Sequence, residues 1–405
     1  VFRYLYTDGP LSRLDLSHFS GLSVGTIANV ISELLSENLV LEAGFEASEG
    51  GRPRAILTLN MDYGYFIGGE IGETELTVEL FDLKLTKRKA VKYALKAGEN
   101  NPSTVVQQFA RHVEEVLSEE QIPLNKVLGL GVGVPGIVAL AEEETVSAPA
   151  WEWTSVPLKT MLEEHFEVPL YVDNGSKLMA LAEMHRDPDA QRETMAVLNI
   201  GTGAGAGIIY EGKLYRGGNN SAGEWGHTIM VLDGEPCRCG CRGCLEAYIG
   251  APGIIRRLRA LAPQRLTHLN DEAEIVETII KMARQGDAIM EQILGETNRY
   301  LGAGIANLIN LFNPQRIILG GKVGLLFGEY CLPEITREVQ RHALSQPFNA
   351  TRILISQLGG DAVSLGAARL ALEAFLMQVG RPGDHLSQQI ATRAVLSARE
   401  KLKRD

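Results

Sequence analysis

Cysteines are crowded into one short stretch of this 405-residue chain. Four of the five, Cys237, Cys239, Cys241 and Cys244, lie within eight residues, and Cys331 stands alone. A secreted disulfide framework would spread its cysteines along the chain, whereas a tight cluster in a protein without secretion signals indicates a metal site.

A histidine completes the ligand set. His227 is followed by nine residues and then by Cys237, Cys239 and Cys244, so the stretch supplies one imidazole and three thiolates. This closed tetrahedral set leaves no position for water, and it therefore suits structural rather than catalytic Zn²⁺. Cys241 is a surplus thiol. Free cysteines or disulfides are the alternatives.

Composition places the chain among globular proteins. Hydrophobic residues make up 45% and charged residues 22%, which excludes disordered and fibrous classes. The chain has no run of eighteen apolar residues and no signal-peptide pattern at its start, so we expect a cytoplasmic protein without membrane insertion. With 39 basic and 50 acidic residues, any contact with nucleic acid must be local.

Residues 1–60 have the pattern of a winged helix-turn-helix. Ser12 is a plausible N-cap for one short helix, and Ser23 caps the next. The latter helix has apolar residues at helical spacing, namely Ile27, Val30, Ile31, Leu34 and Leu35. Residues 39–42 and 54–59 read as strands that form a wing. The pattern predicts a DNA-binding domain.

Candidate DNA contacts are few in this domain. Ser23, Thr26 and Asn29 lie at the start of the recognition helix, where base edges are read. Arg52 and Arg54 lie in the wing, where they suit a narrow minor groove. The domain nevertheless has four arginines against seven acidic residues. A protein-interaction or vestigial winged helix is therefore the alternative.

The rest of the chain alternates strands, glycine turns and helices, which predicts an α/β architecture. Stretches near residues 66–81 and 196–210 both open with strands around a turn that contains Gly and Thr, which suggests related lobes facing one cleft. We expect a first lobe over 61–175, a second lobe over 176–376, and a helical tail over 377–405.

A glycine-rich turn at Gly201-Thr202-Gly203 has the chemistry of a phosphate cradle. Its glycines let backbone N–H groups converge, and the threonine hydroxyl can reach an anion. The alternative is that the glycines only pack a β-hairpin.

Together these motifs resemble the ROK family of repressors and sugar kinases. Residues 224–227 with 237–246 are similar to its zinc signature, and 200–207 with 221–224 are similar to its second phosphate loop and sugar-binding segment. With the winged helix, the likeness covers residues 2–376 and is to the xylose-repressor and N-acetylglucosamine-repressor branch. It implies an actin-like, two-lobed sugar kinase fold, a homodimer or tetramer, and operator DNA binding controlled by a sugar or sugar phosphate.

Two departures bear on activity. The family's Asp-Ile-Gly-Gly-Thr-Lys loop is Glu70-Ile71-Gly72-Glu73-Thr74-Glu75 here, which puts carboxylates where ATP phosphates would lie. The family's Glu-Asn-Asp-Ala is Asp173-Asn174-Gly175-Ser176, so Gly175 replaces the catalytic base. We expect no kinase activity, no catalytic residue, and a vestigial phosphate loop at Gly201, Thr202 and Gly203.

The resemblance implies that sugar binding is retained. Asn174, Glu224, His227 and Glu246 stand where the family hydrogen-bonds sugar hydroxyls. His227 would use one ring nitrogen for zinc and the other for the sugar. The alternative is that Glu224 and Glu246 only support the zinc loop.

We therefore expect a transcriptional regulator, most simply a repressor of carbohydrate genes. An active sugar kinase with an attached regulatory domain is the alternative from another class. In a third version the cleft is empty and the partner is a membrane sugar transporter domain that sequesters the protein.

Overall fold

The N-terminal region forms the expected winged helix in the computed structural model, which describes residues 1–46, 53–96, 98–140, 144–187, 190 and 192–379. Its elements in chain order are α1 (Phe2–Asp8), β1 (Leu11–Ser12), α2 (Arg13–Ser20), α3 (Val24–Ser36), β2 (Val40–Glu46) and β3 (Arg54–Leu59). Arg52 and the tail from 380 to 405 lie outside the described residues.

Local signals set the helix boundaries here. Ser12 caps α2 in a capping box with Asp15, and Ser23 caps α3 by accepting from the Thr26 amide. Gly21 takes the left-handed conformation that ends α2, with φ 68°, and the α2 and α3 axes differ by 116°. Leu11 and Ser12, just before α2, form a short strand on β3 that the sequence pattern did not predict.

The winged helix buries the apolar face of α3 against a small sheet of order β1-β3-β2. Ile27, Ile31 and Leu34 are buried as predicted, whereas Val30 and Leu35 are half-buried. No single helix in the described residues could cross a membrane by length and hydropathy; only the sharply bent pair α2 and α3 passes when joined.

The first lobe is built on a sheet of order β11-β7-β4-β5-β6. The elements are β4 (Tyr65–Ile71), β5 (Glu75–Phe81), β6 (Lys87–Ala94), α4 (Pro102–Glu119), β7 (Val127–Val134), β8 (Ile137–Leu140), β9 (Glu144–Ala148), β10 (Trp153–Val156), α5 (Leu158–Glu163) and β11 (Leu170–Asn174). Strand β7 is buried along its whole length, because it pairs in parallel with β4 and β11 and has helices against its faces.

The second lobe repeats this plan with the order β14-β13-β12-β15-β16. Its elements are α6 (Gly175–Arg186), β12 (Met195–Ile200), β13 (Ala204–Tyr210), β14 (Lys213–Leu214), α7 (Glu246–Ile249), α8 (Ala251–Leu261), α9 (Glu272–Arg284), α10 (Ala288–Phe312), β15 (Arg316–Gly320), α11 (Lys322–His342), α12 (Ser345–Ala350), β16 (Arg352–Ile355) and α13 (Ala362–Gln378). In each lobe an antiparallel meander is followed by parallel strands, so the suggestion of related lobes is supported by the topology.

The last helix, α13, returns to the first lobe. A Cβ on Gly68 of β4 would lie 1.9 Å from the Ser364 carbonyl oxygen, and one on Gly131 of β7 would lie 2.0 Å from that of Ala367. Only glycine allows so close an approach between helix and sheet. Residues far beyond 175 therefore pack as part of the first lobe, whereas we expected that lobe to consist of residues 61–175 alone.

The winged helix docks on the same helix through aromatic side chains. The ring of Phe375 in α13 lies 6.2 Å from Phe2 and 5.8 Å from Phe66, both edge to face, and 6.4 Å from Tyr63. Phe375 is 3% exposed and belongs to the core that the winged helix shares with the first lobe. The winged helix and the lobes are thus joined by a packed core.

Candidate functional site

The cleft between the lobes is lined by the turns of both meanders. The turn from β4 to β5 carries Glu73, and the turn from β12 to β13 is Gly201-Thr202-Gly203. Between them lies a cavity of about 560 Å³, which also borders Asn174, Glu224, His227 and Glu246. All four predicted sugar contacts therefore reach one cavity of a size that suits a small ligand.

The predicted metal ligands converge beside this cavity. One ligand atom from each of His227, Cys237, Cys239 and Cys244 lies within 4.8 Å of the others. The Sγ atoms of Cys239 and Cys244 are 3.7 Å apart, and His227 Nδ1 is 3.7 Å from the Sγ of Cys237. A tetrahedral ion with Zn–S bonds of ~2.3 Å separates its sulfur ligands by about 3.8 Å, so these residues fit Zn²⁺.

The other cysteine of the cluster stands apart from that group. Cys241 is exposed, and it is absent from the convergent ligand set found among the described residues. The spacing of 3.7 Å between Cys239 and Cys244 is also far longer than an S–S bond of ~2.05 Å. The cysteines are therefore free of disulfides in this structure.

Backbone contacts hold the turn before His227 against the second sheet. Gly223, at φ 98°, brings its carbonyl to the Ala206 amide at 2.9 Å, and a Cβ there would lie 2.0 Å from the Ala206 oxygen. Trp225 is buried and donates its indole N–H to the Gly304 carbonyl at 2.9 Å. These anchors position Glu224 and His227 at the cleft.

His227 faces the metal cluster and the cleft at once. Its Nδ1 points to Cys237, while its Nε2 lies 3.9 Å from Glu224 Oε2. Burial raises the pKa of Glu224 above its ordinary value. Glu246 accepts from the Ala204 amide at 2.9 Å through Oε2. The arrangement offers a carbohydrate both acceptors and a donor.

Asn174 borders the cavity, as a predicted sugar contact should, and it also has a structural role. Its Oδ1 caps α6 by accepting from the Ser176 amide at 2.9 Å, and its Nδ2 donates to the Gly136 carbonyl at 2.7 Å. The side chain therefore uses these two hydrogen bonds to hold backbone groups of the protein. Its Oδ1 also accepts from the Lys177 amide at 3.4 Å, so the second N–H of the side-chain amide is the group that remains for a ligand.

Asp173 is held in a buried polar cluster. Its carboxylate accepts from Arg216 and, at 3.3 Å, from Asn220, and it lies 3.9 Å from Lys177 Nζ. Asp173 and Lys177 are 1% and 2% exposed. A carboxylate bound by two cations and an amide is poorly placed to accept a substrate proton. Asp173 is therefore engaged by its neighbours within the fold.

An arginine that the motif analysis did not single out spans the cleft. Arg238 lies between Cys237 and Cys239, two of the predicted metal ligands, and donates to Glu73 at 2.7 and 3.3 Å and to the Thr202 carbonyl at 2.8 Å. The Gly201 amide is bonded to the Gly203 carbonyl at 2.8 Å. The sequence signal that could have identified Arg238 as a site residue was its position between two predicted metal ligands, which would hold its backbone in place.

The candidate DNA contacts lie on the exposed side of the winged helix. Ser23, Thr26 and Asn29 are exposed on α3, and Arg54 is exposed at the start of β3. The Ser23 hydroxyl is 2.8 Å from that of Thr26, in addition to its capping bond. Of the three candidates on or beside α3, Asn29 is the one whose side chain takes no part in these capping contacts. These roles remain predictions.

Comparison with known proteins shows clear relatives. The model of the ROK family matches residues 66–374. The xylose repressor of Caldicellulosiruptor bescii is 31% identical over 382 residues, covering 93% of this chain and 95% of that protein.

Solved structures agree with that relationship. A ROK family transcriptional regulator, a homologue of the Escherichia coli Mlc protein, has a TM-score of 0.76 at 27% identity, covering 92% of this chain and 94% of its own. A ROK family glucokinase from Streptomyces griseus, solved with glucose and AMPPNP, has a TM-score of 0.62 at 29% identity, covering 76% of this chain and 100% of its own. The expected α/β fold, a winged helix followed by sugar-kinase-like lobes, is confirmed.

Proposed function

The chain belongs to the ROK family, and from this premise we propose that it is a DNA-binding transcriptional repressor of carbohydrate-metabolism genes that senses a sugar or sugar derivative in its cleft. One observation carries the proposal. Similarity to a xylose repressor runs over 93% of the chain, so it includes the winged helix as well as the lobes. The family model itself begins only at residue 66, after that domain.

Carbohydrate is the ligand class that the cleft chemistry supports. Glu224, His227 and Glu246 bring two carboxylates and an imidazole to one cavity, with Asn174 at its edge. A polyol needs both acceptors and donors at fixed positions, and these groups supply them. A ligand that prefers one angle between the lobes would alter how the winged helices of a homodimer or tetramer meet operator half-sites.

Zinc has a structural role in this proposal. His227, Cys237, Cys239 and Cys244 would hold the ion, and the ligand spacing of the thiolates supports a closed tetrahedral site. A bound ion would fix the tautomer of His227 and the path of the loop that leads to Glu246.

The protein is proposed not to be a kinase. The base position is Gly175, and Asp173 beside it is bound to Arg216. A positioned general base is worth roughly 10²- to 10⁴-fold in rate. The observation that favours an active sugar kinase instead is the 29% identity to a glucokinase. Release of ADP from ATP with any of a panel of hexoses would establish that alternative.

Operator binding is the decisive test of the repressor. Fluorescence anisotropy with DNA from upstream of its own gene should show tight, salt-sensitive binding that one sugar weakens. Asn29→Ala should reduce affinity roughly 5- to 150-fold, because a base-edge contact is worth ~1–3 kcal/mol. Ser36→Ala, at the far end of α3, should leave affinity unchanged. Failure to bind any DNA at low salt would contradict the proposal.

A further inference from the structure

An ion pair joins the lobes across the cleft. Arg238 belongs to the second lobe, in the loop at residues 228–245 that carries the three predicted cysteine ligands and is called the metal loop below. It donates to both carboxylate oxygens of Glu73, which lies in the turn from β4 to β5 of the first lobe. The side chains are 34% and 18% exposed, so the pair is partly shielded from water. A two-pronged guanidinium–carboxylate contact is specific in geometry as well as favourable in energy.

The same guanidinium holds the side of the cavity where a sugar would lie. Arg238 donates to the Thr202 carbonyl at 2.8 Å, and its Nε lies 3.8 Å from Glu246 Oε1. Glu246 is in turn bonded to the Ala204 amide at 2.9 Å. Glu246 therefore has the charge of Arg238 on one side and a hydrogen bond from the backbone of β13 on the other.

The charge around the cavity is unfavourable for an anion. Among the described residues that line it are seven carboxylate side chains against three lysine or arginine side chains. Two of those cations are already paired, Arg238 with Glu73 and Lys92 with Glu75 at 3.6 Å. The third, Lys322, lies near Glu70, where burial raises the pKa of the carboxyl group and the lysine only partly opposes that rise. A phosphate ester would bring further negative charge into this field.

We propose that the Arg238–Glu73 pair makes the cleft selective for a neutral sugar over its phosphate ester, with Arg238 as the positioning residue for Glu246. The pair places the Glu73 carboxylate near the turn at Gly201–Gly203. Because that carboxylate already occupies the Arg238 guanidinium, the guanidinium is not available to bind phosphate. The inference rests on the proposed function, because it requires carbohydrate to bind in this cleft.

The test is titration calorimetry on the full-length, zinc-loaded protein. Glucose, xylose and N-acetylglucosamine are each compared with glucose 6-phosphate, xylose 5-phosphate and N-acetylglucosamine 6-phosphate. Glu73→Gln keeps the side-chain size but removes the charge, which frees the guanidinium. The matched control is Glu235→Gln, since Glu235 lies on the same loop as Arg238 but forms its ion pair with Arg256, at 3.2 Å.

We expect the wild type to bind one neutral sugar at least about tenfold more tightly than its ester. Glu73→Gln should lower that ratio about tenfold, and Glu235→Gln should leave it unchanged. Arg238→Lys, which keeps the charge but loses the fork, should weaken the neutral sugar severalfold at unchanged zinc content.

Tighter binding of the ester by the wild type, or a ratio that Glu73→Gln does not change, would overturn this inference alone. Absence of heat with every carbohydrate would overturn it together with sugar sensing. Operator binding by the same preparation is then the separate measurement that decides whether the DNA-binding part of the proposed function stands.

Discussion

Removing the ring of Phe375 should loosen the winged helix from the lobes. The ring is almost fully buried and touches Phe2 of α1 and Phe66 of β4 edge to face. Phe375→Ala would leave a cavity at the point where the DNA-binding domain meets α13. Phe375→Leu would keep most of the volume but lose the aromatic contacts.

The expected magnitude follows from packing. A buried Phe→Ala change costs ~3–5 kcal/mol, and each edge-to-face pair adds ~0.5–1.5 kcal/mol beyond buried area. The Phe→Ala range already includes the loss of such pairs, so we expect about 4 kcal/mol for the alanine variant, which loses two of them. The leucine variant should lose about 1.5 kcal/mol, since volume-conserving changes are tolerated best. Phe45→Ala is the control, because Phe45 is 72% exposed.

Native-state hydrogen exchange measures the effect locally. Opening of α1 and β3 should become about 10³-fold more frequent in Phe375→Ala and about tenfold in Phe375→Leu, since ~1.4 kcal/mol is a factor of ten. Amides of β15 in the second lobe should exchange at the wild-type rate. If α1 and β3 keep wild-type protection, or if β15 loses protection equally, the shared core does not join the domains as described.

The remaining predictions concern the metal loop and the cleft. Cys239→Ser should lose bound zinc, while Cys241→Ser should keep one ion per chain by elemental analysis, because only the former lies in the convergent ligand set. Loss of metal from both variants would contradict that assignment. Burial, followed by the neighbouring Glu75, raises the pKa of Glu70 to about 7 from an unfolded value of 4.5. The folded protein thus keeps a proton that the unfolded chain releases, so this group's contribution to stability falls as pH rises from about 4.5 to about 7. Glu70→Gln should remove that fall, so the thermal midpoint of the variant should rise relative to the wild type as pH increases across this window, with no further relative rise above pH 7. If the midpoints of both proteins change in parallel with pH, the predicted direction of this effect is wrong.

Local patterns in the sequence determined a large part of this protein. The caps at Ser12 and Ser23, the metal ligand set and the strand-turn-strand openings of the lobes all depend on residues that are near one another in the chain. Such signals act through bonds of short sequence separation, so they can be recognised before any fold is known.

The predicted sugar contacts show where prediction from the sequence ends and the structure adds new information. The sequence identified Asn174 as a site residue, and it does border the cavity, but only the structure places its oxygen at the start of α6 and its amide on Gly136. Asp173 likewise follows from the motif alone, whereas its enclosure by Arg216 and Lys177 does not.

The contacts that tie the domains together were decided only by the tertiary structure. Arg238 and Glu73 are 165 positions apart, and Phe375 meets Phe2 across nearly the whole described chain. No periodicity or spacing encodes such pairs, because each side chain's local pattern is satisfied with or without its distant partner. They exist because the path of the sheets brings the metal loop over the β4–β5 turn and returns α13 to the first lobe, where close approach at Gly68 and Gly131 lets the helix pack.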